Sequence, residues 1–357
     1  MRSWTTVRRS QWTMSLLSAA AGAWLHAGPA MAHSGAPPAP QPEEAQTPKF
    51  KLEKLTDRAY CLYGQGGNVG FLVTDAGVVV VDDEFEEVAQ GIVDQIRSVT
   101  DRPIRYLVNT HYHGDHTGGN PVFIKFAEII AHETVRPRLL EYPETVRRTL
   151  PDRKKRIEAE IAALKDPADP YRVALEKDLG LLDFFLKTAE ALKVKPAAPP
   201  ALTYDGQVHL WLGGEEVDIF HVAPGHTDGD SIVYFPKEKV LHMGDLFVNG
   251  MYPFIDDLAG GSARGFVTNI DRVLSMVPAD TKVIPGHGST ADVAALRRFR
   301  AFMSDLIDEV RKATQSGMSK ADAVRFIKMD QYPEIKPLFR TLGNDVATVY
   351  DEIKTGR

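Results

Sequence analysis

The sequence predicts an α/β fold in which two β-sheets pack face to face with helices outside. Two observations carry that expectation: short β-branched and aromatic runs fall into two separate series, and each series is followed by segments with helical spacing. The composition agrees. A chain of 357 residues with 43% hydrophobic and 25% charged residues is that of a globular protein able to bury a sizeable core.

Taken in order, residues 1–32 read as a secretory signal: Arg2, Arg8 and Arg9 give a positive start, Met14 to Leu25 an apolar stretch, and Ala30-Met31-Ala32 a small-x-small cleavage site. Arg8-Arg9 invites a twin-arginine reading, but Ser10-Gln11-Trp12 fits that pattern poorly, so ordinary secretion to the periplasm or the medium is expected. Residues 33–49 are rich in Pro and Ala and suit a solvated linker. The main domain is expected at 50–300. Its first strands are Ala59–Tyr63, Gly67–Thr74 and Gly77–Val81, separated by turn signals; a helix over about 86–98 and a strand at 104–109 follow. Residues 134–195 are dense in Arg, Lys, Glu, Leu and Ala and read as a helical insertion. The second series is Gln207–Leu212, Glu215–His221, Ser231–Phe235 and Val240–Met243, then a helix near 263–276, a strand at 282–284 and a helix from Ala291. Residues 301–357 are expected to be C-terminal helices, two of them from Ser304 on, with Ser319 and Asp322 as a capping pair.

Charge and cysteine usage exclude some functions. Taking the three signal arginines from 42 basic residues leaves 39 against 48 acidic, so the net charge moves from −6 to −9. Such a chain has no electrostatic footprint for nucleic acid. No stretch beyond the signal reaches the ~18 apolar residues of a membrane span. Cys61 is the only cysteine and can form no internal disulfide. A small-molecule substrate is the expected partner; the sequence sets no oligomeric state.

The segment Asn109-Thr110-His111-Tyr112-His113-Gly114-Asp115-His116-Thr117-Gly118-Gly119 carries the chemistry. A His-x-His-x-Asp-His pattern arises by chance in a chain of this composition with a probability on the order of 1 in 1000. His111 and His113 stand two apart on a segment leaving a strand, so both side chains can project to one side. Asp115 and His116 follow in the next turn and can aim at a neighbouring ion, with donors suited to zinc or iron. Three later segments each place a candidate ligand beside a glycine at a strand end: His226, Asp245 and His287.

This ordered set resembles the metallo-β-lactamase superfamily, whose five motifs appear as Asp82, the His111–His116 cluster, Gly225-His226, Gly244-Asp245 and Gly286-His287. The resemblance covers roughly residues 50 to 300. It implies the αββα sandwich and two metal ions, normally zinc, with iron or manganese the alternatives. It further implies His111, His113 and His226 on the first ion, Asp115, His116 and His287 on the second, and Asp245 bridging. Asp115, His116 and Asp245 are the catalytic candidates, and Asp82 is expected to hold the ligand loop rather than to bind metal.

A two-metal site of this kind implies hydrolysis of an activated carbonyl by a metal-bound hydroxide, which agrees with the absence of a G-x-S-x-G nucleophile motif. Export favours β-lactams as the first substrate guess. The carboxylate at Asp245 pulls the other way, because the metallo-β-lactamases known from antibiotic resistance carry Cys, Ser or another residue there, whereas thioesterases and many lactonases of the superfamily carry Asp. Lactone, ester or thioester hydrolysis is therefore the alternative, with an iron-dependent sulfur dioxygenase or a metal sensor behind it. His132, His209, His221 and His242 are read as structural, Cys61 as a core residue, and Asn249 and Tyr252 as either loop and packing residues or substrate-facing ones.

Overall fold

The computed structural model describes residues 49–192, 198–337 and 340–356. The expected signal segment, the linker up to residue 48, residues 193–195 of the expected insertion and the last residue lie outside them.

A seven-stranded sheet is built in chain order from β1 (Lys51–Lys54), β2 (Ala59–Tyr63), β3 (Val69–Thr74), β4 (Gly77–Val81), β5 (Ile104–Val108), β6 (Glu128–His132) and β7 (Leu202–Tyr204). Helix α1 (Glu86–Val99) joins β4 to β5, and two single-turn helices, α2 (Gly114–Thr117) and α3 (Asn120–Phe123), lie between β5 and β6. Two long helices, α4 (Val135–Ala163) and α5 (Pro170–Leu192), lie between β6 and β7 and pack on each other. The second sheet contains β8 (Gln207–Leu212), β9 (Glu215–Phe220), β10 (Ile232–Phe235), β11 (Val240–His242), β12 (Lys282–Ile284) and β13 (Ala291–Asp292) in the order β13-β12-β11-β10-β9-β8. Helix α6 (Ala263–Met276) precedes β12, and α7 (Val293–Gln315), α8 (Lys320–Phe326) and α9 (Leu342–Thr355) close the chain.

The alternation of side chains along the strands sorts the core into layers. In β4 all five residues are buried, Val78 and Val80 toward α1 and Val79 and Val81 toward the second sheet. Helix α1 meets the first sheet through Ala89, Ile92, Val93 and Ile96, spaced as one helical face. Between the sheets, Cys61, Leu72, Val108 and Ile130 pack on Val217, Ile219, Val233 and Phe235. On the far side of the second sheet, Ile232, Tyr234, Leu241 and Val283 are covered by α6 to α9. The result is the αββα order expected from the sequence, with helices α4 and α5 inserted and helices at the C-terminus.

Some boundaries differ from the sequence reading. Residues 291–292 pair with β12, and the helix starts at Val293, where the Asp292 side chain accepts a hydrogen bond from the Ala295 N–H. That helix continues without a break through Ser304, because nothing in 301–315 stops it; the next start is at Ser319, whose side chain caps Asp322 as expected. Strand β6 was not singled out, since only two short turns separate it from the His cluster. Among the described residues no helix is long and apolar enough to cross a membrane.

The directions of pairing place the site. β4 and β5 run parallel, and β9, β11 and β12 share one direction because β9 and β11 are each antiparallel to β10 while β11 and β12 are parallel. The segments that follow β4, β5, β9, β11 and β12 therefore meet at strand ends.

Away from that edge, α9 buries Asp345 completely, with neither carboxylate oxygen hydrogen-bonded. Burial pushes this carboxyl up to about 8, outweighing the Arg340 guanidinium, whose Nε lies 3.6 Å away. Between the ordinary value and 8 the folded chain holds a proton that the unfolded chain has lost. The neutral acid's contribution to stability is thus complete at low pH and is lost as pH rises through about 8. Denaturant titrations should show that Asp345→Asn loses less stability than the parent between about pH 5 and about pH 9; parallel losses would contradict the assignment.

Candidate metal centre

Asp82, the first residue after β4, organises the cluster. It is fully buried and has a φ of +63°, a left-handed conformation that costs a non-glycine residue energy and persists only where its surroundings hold it. Its Oδ1 accepts from the Thr110 N–H at 2.7 Å, and its Oδ2 accepts from the Thr110 hydroxyl and from His116 Nδ1, both at 2.8 Å. Asp82 therefore holds the segment after β5 and orients one of its histidines, as the sequence suggested.

The hydrogen bonds set the tautomer of four rings. His116 donates from Nδ1 to Asp82, which aims its Nε2 at the interior of the cluster. The Thr110 hydroxyl gives its proton to Asp82, so His111 Nδ1, 3.0 Å from it, is the donor of that pair and its Nε2 is bare. His226 donates from Nδ1 to the Phe254 carbonyl at 2.6 Å, and His113 donates from Nε2 to Asp256 Oδ2 at 3.0 Å. The remaining nitrogens, His226 Nε2 and His113 Nδ1, face each other at 2.9 Å. Two lone pairs at that distance repel unless something positive lies between or beside them.

The seven residues singled out from the sequence are brought together. Their donor atoms form three overlapping groups, each within 4.8 Å: His111, His113 and His226; His111, His116 and Asp245; Asp115, His116 and His287. Asp245 follows β11 in a single 3-10 turn, with Oδ1 3.3 Å from His116 Nε2 and Oδ2 3.6 Å from His226 Nε2 and 3.5 Å from His287 Nε2. Among the described residues it is the one carboxylate that reaches both sides. Asp115 Oδ2 lies 3.2 Å from His287 Nε2. Three of the buried atoms without a hydrogen-bond partner, His111 Nε2, His116 Nε2 and Asp245 Oδ1, belong to this cluster. Orphaned nitrogen and carboxylate donors converging from separate strand ends fit a metal-binding site.

Electrostatics divide the cluster. Burial, reinforced by neighbouring histidines, lowers His111 well below the ordinary range; burial likewise brings His226 down to about 4, so both are neutral donors. On the other side burial opposes charge but loses to the carboxylates: Asp245, Asp115 and Asp82 push His116 well up, and Asp245 and Asp115 push His287 up to about 10. Asp245 itself stays well below the usual carboxylate range, because His287 and His116 outweigh its burial. The mouth lies on this side, where the Asp115 side chain is 30% exposed and that of His287 17%, against 0% for His116. Close glycines make the fit possible: a methyl at Gly67 would strike the His116 ring, and one at Gly286 would strike Asp245 Oδ1.

The sequence reading missed Asp256, the Phe254 carbonyl and the aromatic rings against His113. Asp256 is buried; its Oδ2 also accepts from the Tyr112 hydroxyl at 2.7 Å, and its Oδ1 caps the turn at 257–259. Burial would raise its carboxyl, yet the bond and charge of His113 hold it well below the ordinary range. The remaining candidates have ordinary roles. His242 is buried between Asn68 O and the Gly244 N–H, and His132 stacks on His221 at 4.2 Å. His209 bonds Asp218 across β8 and β9 on an exposed face, where Glu216 completes a fourth, separate group. Tyr252 packs against Phe302, and Asn249 bonds the Ser289 carbonyl. Cys61 is buried in the core, which pushes its thiol up to about 12.

Asp256→Asn keeps the size of the side chain but removes the charge that fixes His113. Metal affinity, read by competition with a chelator, should fall about 10- to 100-fold; unchanged affinity would deny Asp256 that role.

Comparison with known proteins agrees with this geometry. The profile of the metallo-beta-lactamase superfamily matches residues 62–301. A metallo-beta-lactamase type 2 from Elizabethkingia meningoseptica is 24% identical over 277 residues, covering 75% of this chain and 88% of that protein. Among solved structures, a metallo-beta-lactamase from Pontibacter korlensis superposes with a TM-score of 0.51 at 15% identity over 72% of this chain and 99% of its own. The stereoselective inverting sec-alkylsulfatase of a Pseudomonas species superposes with a TM-score of 0.59 at 17% identity over 84% of this chain, which spans 50% of the sulfatase. With a profile match over more than half of its length, the described αββα fold and the converging His and Asp residues, the chain belongs to the metallo-β-lactamase superfamily.

Proposed function

We propose that the protein is an exported, zinc-dependent hydrolase using two ions to cleave an activated carbonyl compound. The ligands are His111, His113 and His226 for the first ion, Asp115, His116 and His287 for the second, and Asp245 for both. The observation that carries this reading is the set of bare, buried donor atoms facing one another, which leaves the interior of the cluster without protons of its own on the three-His side. Imidazole-rich donors with two carboxylates suit zinc. Bound ions would supply Lewis-acid polarisation of the carbonyl and a nucleophile drawn from water at neutral pH.

The chain's own residues do the rest. Thr110, Asp82, Asp256 and the Phe254 carbonyl hold the four histidine rings in one tautomer and orientation, so no rearrangement is needed when substrate arrives. Asp115 and Asp245 are the carboxylates placed to take the proton shed by the attacking water, Asp115 being the more open. His116 keeps Asp115 and Asp245 at their stations from a position that solvent does not reach.

β-Lactams are the first substrates to test, on the strength of the expected export and the relatives named above. Lactones, esters and thioesters form the second reading, favoured by the carboxylate at Asp245. Screening these classes side by side on metal-loaded protein decides between them, and oxygen consumption with iron bound would replace both with the dioxygenase reading.

In Asp245→Ala, occupancy of at least one ion should fall and turnover should drop at least about 100-fold; two tightly held ions with full activity would sink the bridging assignment. On export, fractionation of producing cells with N-terminal sequencing should find a mature chain beginning at His33 outside the cytoplasm. An intact Met1 in the cytoplasmic fraction would refute it.

A further inference from the structure

The loops on the three-histidine side are held from outside the sandwich. Helix α4, the first of the two inserted helices, sends two arginines to them. Arg138 donates from Nε to Asp228 Oδ1 at 2.6 Å and pairs through a second nitrogen with Oδ2, the two-pronged geometry that fixes a carboxylate in direction as well as position. Asp228 stands two residues after His226, and its N–H donates to the Ala259 carbonyl at 2.9 Å. Arg138 also lies over the Tyr112 ring, 5.5 Å from its centre, and the Tyr112 hydroxyl bonds Asp256. Arg153 donates from one nitrogen to both oxygens of Asp257, at 2.9 and 3.1 Å. Asp257 is the neighbour of Asp256, which orients His113.

The two arginines are fifteen residues apart (153 − 138), a little over four turns, so they leave α4 on the same side. The loops they grip are tied to one another: the Asp256 N–H donates to the His226 carbonyl at 2.9 Å and the Ser262 N–H to the Gly225 carbonyl at 2.7 Å. A methyl at Gly261 would strike the His226 carbonyl, so the loops lie in close contact. Together they supply His226, the Phe254 carbonyl that accepts from it, and the Asp256 carboxylate that accepts from His113. The Asp115, His116 and His287 side is tied by Asp82, Glu84 and Asn68, none of which belongs to the insertion.

We propose that Arg138 and Arg153 are positioning residues through which α4 sets the affinity of the three-histidine group for its ion without touching it. The inference rests on the two-ion hydrolase reading and deepens it: the insertion controls one ion of the pair. Both arginine pairs are only partly buried, and losing either would loosen the loop it holds. A loosened loop would let His226 and His113 leave the one orientation in which their unprotonated nitrogens meet. The second group would keep its geometry, because its ligands are tied elsewhere.

Zinc-loaded protein, its zinc content measured in the same sample, is titrated with a chelator, and the ion lost first is located by anomalous diffraction. Arg138→Gln should weaken the ion among His111, His113 and His226 about tenfold and leave the other within about twofold. Asp228→Asn should do the same, and combining the two should add nothing further, since the residues act as one pair. Arg153→Gln, at the more open pair, should weaken the same ion about threefold. It should have no effect in the Asp256→Asn background, because Asp257 acts through Asp256. Arg138→Lys, which keeps the charge but not the two-pronged bond, should fall between the parent and Arg138→Gln. If Arg138→Gln does not fold, Arg138→Lys and Arg153→Gln carry the same test. Folded variants that hold both ions as the parent does, or that lose both equally, would overturn the clamp and leave the hydrolase reading standing. A parent that binds no zinc would overturn the hydrolase reading and the clamp with it.

Discussion

Bare donor atoms buried face to face are the constraint on which the rest of this structure depends. His226 Nε2 and His113 Nδ1 point at each other at 2.9 Å, and His111 Nε2, His116 Nε2 and Asp245 Oδ1 have no hydrogen-bond partner at all. A buried polar atom left unpartnered costs about 1–3 kcal/mol, so such a cluster would be selected against unless cations complete it. Metal ions held by the overlapping ligand groups would answer these atoms together, which would tie the fold's stability to its chemistry.

The cost of aiming the donors is spread over the scaffold. Strand ends from both sheets deliver separate loops to one place, and each loop is fixed by contacts outside the cluster: Asp82 grips Thr110 and His116, Asp256 grips His113, and Asn68 bonds the carbonyls of Pro285, Gly286 and Gly288 around His287. The left-handed backbone of Asp82 and Glu84 is part of that cost, since both residues sit at the exit of the fully buried strand β4 and both carboxylates clamp neighbouring loops. The interior is thereby preorganised, and solvent meets the cluster chiefly through Asp115 and His287.

What could be read from the sequence followed from short-range pattern. His111, His113, Asp115 and His116 stand within six positions, His226, Asp245 and His287 each sit beside a glycine after an apolar run, and two series of short β-branched and aromatic runs foretell two sheets. Asp256 could not be read this way, because its partner His113 is 143 residues distant and an Asp in a loop has many ordinary uses. Phe185 was equally hidden: on a helix rich in apolar residues, nothing in its spacing separates a ring that meets His113 from one that packs in the core. The boundary expected at Ser304 failed because a helix ends only where a residue or contact ends it, and none occurs before Gly317.

Anomalous diffraction at the zinc edge, from crystals of the zinc-loaded protein, tests the central claim most directly. Two peaks are expected about 3.5–4 Å apart, one among His111, His113 and His226, the other among Asp115, His116 and His287, with Asp245 in reach of both. A single peak, or peaks confined to the exposed His209, Glu216 and Asp218 group, would contradict it.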